Sequence, residues 1–221
     1  MTTLTSKPFA SLLERLFDEA DRISPWTSPE LSGLSADERD RLMHSKTEYR
    51  TFYGLLKGMA LPVSRESGRL LYMLARGCGA RNIVEFGTSF GLSTLCLAAA
   101  LRDNGGGRLI TSEFEPSKVA QARANLEAGG VLDLVEIREG DELQTLATDL
   151  PDPIDLVLLD GAKSLYSDVL DHVEGRLKTG AFIIADNADY CPEYLARVRD
   201  PISGYLSVPF ADDVELSIRL G

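Results

Sequence analysis

Beyond Arg81 the chain alternates short apolar runs with stretches of helical spacing, and this alternation limits the folds open to it. The runs are NIVEF (82–86), RLITSEF (108–114), LVEIRE (134–139), IDLVLL (154–159) and AFIIA (181–185). Each has the length of a strand buried on both faces. Between them, Leu92 to Leu101, Pro116 to Ala128, Ser164 to Leu177 and Pro192 to Val198 read as helices. Parallel neighbours need a crossover connection, usually a helix, so the pattern predicts βαβ units and an α/β fold. The closing pair, YLSVPF and VELSIRL around Ala211-Asp212-Asp213, reads as an antiparallel hairpin at the sheet edge. The expected architecture is a doubly wound, Rossmann-like, mostly parallel seven-stranded sheet.

The first 60 or so residues have a different texture. Phe9, Leu12, Leu13, Leu16, Phe17, Ala20 and Ile23 fall on one helical face, and Pro25 and Pro29 end that helix. Ser35 and Glu38 make a capping box that starts a second helix, expected to run to about Lys57. A third starts after Ser64 and stops at the Gly77 to Gly79 turn. With no repeat or linker in view, residues 1–60 read as a helical cap on the same domain as a core over 61–221. His44 reads as a surface or packing residue, because no second His or Cys stands at ligand spacing.

Charge excludes some partners. With 23 Lys and Arg against 34 Asp and Glu the formal charge is −11, which repels polyphosphate backbones and argues against a nucleic-acid partner. Cys78, Cys96 and Cys191 are odd in number and form no C-x-x-C pair, which fits a reducing cytoplasm. The amphipathic N-terminus carries Glu14, Arg15, Asp18 and Glu19 where a signal peptide needs an apolar centre. No apolar run approaches the roughly 18 residues of a membrane span.

In an open α/β sheet, ligands bind outside the carboxyl ends of the strands. There the sequence places Gly87, Ser89, Gly91 and Ser93, then Glu113, then Gly140 and Asp141, then Asp160, then Asp186 and Asn187. Any one of these reads equally well as a turn or helix cap; five together point to a ligand rim. Glu85-x-Gly87-x-x-x-Gly91 lets a backbone approach a ligand closely, and Glu113 is placed to accept two ribose hydroxyls. The spacing departs from G-x-G-x-x-G and no Walker lysine is present, so S-adenosylmethionine, which carries a sulfonium and no phosphate, suits this acidic rim better than a pyrophosphate cofactor.

Asp160, Asp186 and Asn187 form a second group: three hard oxygen donors that leave three positions of an octahedral Mg²⁺ open. Two substrate oxygens and a water would fill them, which suits a vicinal diol. Lys163, one turn past Asp160, is a candidate base if a cation beside it depresses its ordinary pKa of about 10.4; otherwise it is an ion-pair partner of Asp160.

Taken in order, VSRESGRLLYML, VEFGTSFGLST, LITSEFEP, EGD, LLDGAKSLY and IIADN resemble the metal-dependent catechol and caffeoyl-CoA O-methyltransferase-like family of class I S-adenosylmethionine enzymes, from about Leu61 to the C-terminus. The resemblance implies that Val63, Glu85, Gly87, Ser89 and Ser93 line the methionine end of the cofactor, Glu113 holds the ribose, and Gly140 and Asp141 stand beside the adenine. It further implies that Asp160, Asp186 and Asn187 hold a divalent metal, with Asp160 also next to the cofactor, and that Lys163 deprotonates the attacking hydroxyl of a catechol-like small molecule. N-terminal helices of this family often cover the substrate or build a homodimer. Where the family commonly has a second acid or a His-Trp pair, Gly161 and Ala162 are small, implying a more open substrate gate. Tyr166, Tyr190, Tyr194, Tyr205 and Phe210 are candidate pocket walls, although scattered aromatics are more often core. Three alternatives remain open: a metal-independent O- or N-methyltransferase, a nicotinamide-dependent reductase suggested by Tyr53-x-x-x-Lys57, and a non-catalytic subunit.

Overall fold

Each of the five apolar runs forms a strand, and their order in the sheet sets where a ligand can bind. The computed structural model describes residues 2–25, 28–211 and 213–221. Its strands are β1 (Asn82–Phe86), β2 (Arg108–Glu113), β3 (Val135–Glu139), β4 (Ile154–Leu159), β5 (Leu177–Ala185), β6 (Tyr205–Phe210) and β7 (Val214–Arg219). Among the described residues they make one seven-stranded sheet in the order β3-β2-β1-β4-β5-β7-β6. β1 to β5 pair in parallel, and the expected C-terminal hairpin adds β7 antiparallel to β5, with β6 at the edge. Asp212, in the hairpin turn, lies outside the described residues. Strand order reverses between β1 and β4, so a crevice opens at their carboxyl ends.

Alternate residues of each central strand feed opposite cores, as the two-residue period requires. Ile83, Leu156, Leu158 and Ile184 face one core with α1 (Phe9–Ala20), α5 (Arg65–Gly77) and α6 (Leu92–Asp103). Val84, Phe86, Val157, Leu159 and Ile183 face the other, with α9 (Tyr166–Val173) and α10 (Pro192–Arg199). The remaining helices along the sheet are α7 (Pro116–Ala128) and the short α8 (Glu142–Thr145). No helix among the described residues is long and apolar enough to cross a membrane.

The N-terminal region departs from expectation. Ser35 and Glu38 do form a capping box on α3 (Ala36–Met43), but the helix ends there, and α4 (Tyr49–Leu55) is separate. The break has a local cause: Ser45 Oγ accepts from the backbone N–H of Thr47 and Glu48, a turn that competes with the helix. Lys46 and the Ser45 carbonyl are drawn to Asp168 and Ser164. A further turn, α2 (Pro29–Ser32), starts at the proline read as a stop, which occupies the first helical position behind a Ser28 cap. The helix expected over 164–177 ends at Val173; a one-turn segment follows, and Leu177 already pairs with Ile154 in β5.

While α1 packs into the main core, Leu31, Leu42, Met43, Phe52, Leu56 and Met59 of α2–α4 and the segment after them form a separate cluster. Leu31 is fully buried within it. Leu31→Ala should therefore loosen α2–α4 by about 2–4 kcal/mol without loosening the sheet. Amide hydrogen exchange is expected to speed up in α3 and α4 and stay unchanged in β1 and β4; equal acceleration in the strands would show one undivided core.

Candidate active site

The loop after β1 carries Gly87, Ser89 and Gly91, all at positive φ, and it coils the chain into the N-terminus of α6. A Cβ on Gly87 would lie 2.6 Å from the Asp160 carbonyl oxygen and 2.7 Å from the Gly161 nitrogen. Glycine is thus demanded by the close approach of the β1 and β4 ends, sealed by the Asp160 N–H donating to the Phe86 carbonyl at 2.8 Å. Gly91 faces the Ala122 backbone and methyl of α7 at 3.4–3.7 Å.

Glu85 is fully buried beneath this loop. Ser93 and Thr94, from the first turn of α6, each donate a hydroxyl to it at 2.6 Å. Burial outweighs these hydrogen bonds and pushes its pKa up to about 7. Glu85 and Ser93 therefore meet one another, and their present work is to clamp loop to helix.

Ser89 connects four segments. Its N–H donates to Glu113 Oε2 at 2.9 Å, and its hydroxyl accepts from Leu61 N–H at 3.1 Å and Lys118 Nζ at 3.4 Å. The other Glu113 oxygen accepts from Glu115 N–H at 3.0 Å. Burial raises the Glu113 pKa, opposed by Lys118, itself buried and lowered by desolvation. The Gly140 N–H donates to the Glu113 carbonyl, and Asp141 caps α8 through Leu143 N–H. The β1, β2 and β3 ends are thereby joined in one polar rim, with Val63 buried at the head of α5.

The second group lies across the switch point. Asp160, Lys163, Asp186 and Asn187 share the wall of a cavity of about 480 Å³ with Val63, Tyr53, Tyr190 and apolar side chains of α1–α4. Lys163 Nζ donates to Asp160 Oδ1 at 3.0 Å and to Tyr166 Oη at 2.9 Å, and Tyr166 donates to the Asp186 carbonyl at 2.7 Å. Asn187 holds a left-handed conformation, φ 49 and ψ 44, and its amide nitrogen donates to Asp213 at 3.0 Å. Such a backbone is one that asparagine tolerates better than most residues.

Two buried carboxylates against one lysine leave negative charge uncompensated. Burial and the neighbouring Asp160 push Asp186 up to about 8, and burial raises Asp160 against the pull of Lys163. Burial alone would lower Lys163, yet Tyr166, Asp160 and Asp186 together hold it well above its ordinary value. Such a site has room in its charge balance for a cation, and two carboxylates with an amide oxygen fit a hard divalent ion. Among the described residues no cluster of three or more His, Cys, Asp or Glu side chains is placed to hold a metal.

Some expectations need correction. Of the five aromatic wall candidates, Tyr190 lines the cavity; Tyr166, Tyr194 and Tyr205 belong to the core beneath the sheet, and Phe210 lies on the edge hairpin. Gly161 is small because a Cβ there would meet the Phe86 ring at 2.5 Å, and Ala162 is buried. Packing thus accounts for Gly161, which also lines the cavity. Tyr53 as a cavity wall, Tyr166 as the partner of Lys163, and Lys118 as that of Glu113 have no counterpart in the sequence expectations. Of these, Tyr166 alone carried a signal, its i+3 spacing from Lys163.

Residues 84–188 match a family model described as a methyltransferase domain. A catechol O-methyltransferase of Niastella koreensis is 37% identical over 131 residues, covering 58% of this chain and 58% of that protein. One from Mycobacterium tuberculosis is 36% identical over 127 residues, covering 58% and 57%; the chain thus spans little more than half the length of these curated relatives. The crystal structure of the O-methyltransferase TomG of Streptomyces achromogenes, involved in tomaymycin synthesis and in complex with SAM, superposes with TM-score 0.63 at 25% identity. It covers 92% of this chain and 99% of that one.

Burial of Glu85 makes stability depend on pH in a stated direction. Its folded pKa lies above the ordinary carboxylate value, so the folded state binds the extra proton, and stability falls as pH rises from 4.5 through about 7. The loss is up to about 3 kcal/mol. Urea midpoints of Glu85→Gln should fall less between pH 5 and pH 8 than those of the parent; parallel profiles would mean that Glu85 titrates normally in the fold.

Proposed function

We propose that this chain, a methyltransferase-domain protein related to the catechol O-methyltransferases, moves the methyl group of S-adenosylmethionine to one hydroxyl of a vicinal dihydroxy aromatic small molecule. The observation that carries this reading is the Lys163–Asp160–Asp186–Asn187 group on the wall of a largely apolar cavity, across the β1/β4 switch point from the glycine loop.

In the transfer, the attacking hydroxyl loses its proton as the new C–O bond forms and the methyl–sulfur bond breaks. Glu113 fits the ribose end of the cofactor, Asp141 and Gly140 the adenine end, and Val63, Gly87, Ser89 and Ser93 the methionine end, with Glu85 supporting that end from beneath. Asp160, Asp186 and Asn187 would hold the divalent metal, a Mg²⁺-like ion. Bound there, it would favour the anion of a coordinated hydroxyl and offset the carboxylates that keep Lys163 protonated. Lys163 takes the hydroxyl proton at Nζ, and Tyr166, tied to the Asp186 carbonyl, fixes that nitrogen in place. The apolar walls from Phe52, Leu56 and Leu61 exclude water and hold an aromatic ring. A second reading, transfer without a cation, draws on the same Lys163–Asp160 pair, which stands complete by itself. A reducing, cytoplasmic setting accords with the three free thiols.

The test is methyl transfer from labelled S-adenosylmethionine to catechols and matched mono-ols, with Mg²⁺ and with chelator. Turnover of the diols alone, lost in chelator and in Asp160→Ala, is expected; mono-ol turnover in chelator would favour the second reading. Lys163→Met should lower kcat by about 10²–10⁴-fold with cofactor affinity retained, and a full rate would reduce Lys163 to an ion-pair role.

A further inference from the structure

The acids at the adenine end of the proposed cofactor site are engaged by α4. Arg50 Nη2 lies 2.5 Å from Asp141 Oδ2, and Arg50 Nε donates to the Tyr49 hydroxyl at 3.2 Å. That hydroxyl donates toward Glu142 Oε2 at 3.3 Å and Asp141 Oδ1 at 3.4 Å. The Tyr49 ring meets Phe114, the residue after Glu113, edge-on at 6.3 Å. Tyr49 and Glu142 are 4% and 5% exposed, so the seam is closed over the rim.

We infer that Tyr49 and Arg50 form a latch that competes with the cofactor's adenine for Asp141 and Glu142, so that cofactor passage requires α2–α4 to release from this rim. The inference rests on the functional reading above, since it takes Asp141 as an adenine contact.

Three further features support it. The α2–α4 unit has its own apolar cluster and so can shift as a body. Beyond Tyr49 and Tyr53, which also join the core beneath the sheet, its attachments include polar contacts: Lys46 to Asp168 at 2.7 Å and Ser164 Oγ to the Ser45 carbonyl at 3.2 Å. Polar contacts exchange readily with water, and the Arg50 side chain is already 46% exposed. Finally, the chain leaves α4 through Gly58, where a Cβ would meet open space, before Leu61 N–H is fastened to Ser89. Since the same unit supplies Phe52, Tyr53 and Leu56 to the acceptor cavity, one movement uncovers both halves of the site.

Stopped-flow binding of S-adenosylhomocysteine to the full chain tests this. Arg50→Ala should speed association about threefold to fivefold and tighten binding, while Tyr49→Phe gives a smaller change in the same direction. Added NaCl should speed association to the parent and leave Arg50→Ala unmoved, and α4 amides of Arg50→Ala should exchange faster. Weaker binding by Arg50→Ala would make Arg50 a cofactor contact and overturn the latch, as would unchanged rates with unchanged salt response. Failure of the parent and both variants to bind S-adenosylhomocysteine would overturn the functional reading and the latch together; binding with unchanged rates overturns the latch alone.

Discussion

The close approach of the β1 and β4 ends is the constraint on which the rest of the site depends. Gly87 has no side chain because the Asp160 backbone occupies the space a Cβ would need. That contact fixes the switch-point crevice and aims the glycine loop to one side and the Asp160–Lys163 turn to the other. Once Asp160 is pinned through its N–H to Phe86, the next strand places Asp186 beside it, its own N–H donating to the Leu159 carbonyl. The two chemical groups of the site are therefore held in relation to each other by backbone, which is stiffer than any side-chain tie.

Buried charge is the cost of this arrangement, and the chain meets it differently at each place. Burial raises the proton affinity of Glu85, and its hydroxyl hydrogen bonds from Ser93 and Thr94 only partly oppose it. Glu113 receives backbone N–H groups and Lys118, and each member of that pair restrains the shift that burial imposes on the other. Asp160 and Asp186 share one lysine, which leaves one of two adjacent buried carboxylates without a cation. Such a crowded pair is a poor way to stabilise a fold and a good way to attract a cation, which is why the proposed chemistry is placed there and a clamping role at Glu85.

Much of the parallel sheet was legible because its strands are buried on both faces and read as unbroken apolar runs. NIVEF and IDLVLL coincide with β1 and β4, and Pro116–Ala128 with α7. The residues at the strand ends were equally legible, since topology alone delivers them to one rim. What failed was decided in good part by distant partners. At 44–48 the Ser45 turn is a local cue, but nothing local reveals that Ser164 and Asp168 will hold that segment out of a helix. The start of β5 at Leu177 depends on pairing with Ile154. Burial of Tyr194 and Tyr205 likewise follows from α10 and the hairpin closing over one face, which no spacing encodes.

The N-terminal helices, the part of the chain least explained by the family resemblance, border both halves of the proposed site. α1 is joined to α5 by core packing and by Arg65, which binds Glu14, Asp18 and Asp21, so it moves with the sheet. By contrast, α2–α4 owes its packing mainly to itself and meets the domain along a seam that is in good part polar. A cover with its own core can separate with that core intact, and separation then costs the seam, including the packing of Tyr49 and Tyr53 against the core beneath the sheet. This difference between two neighbouring helical segments, one anchored by buried apolar area and one partly by exchangeable hydrogen bonds, suits the proposed methyl-transfer site, whose ligands must still get in and out.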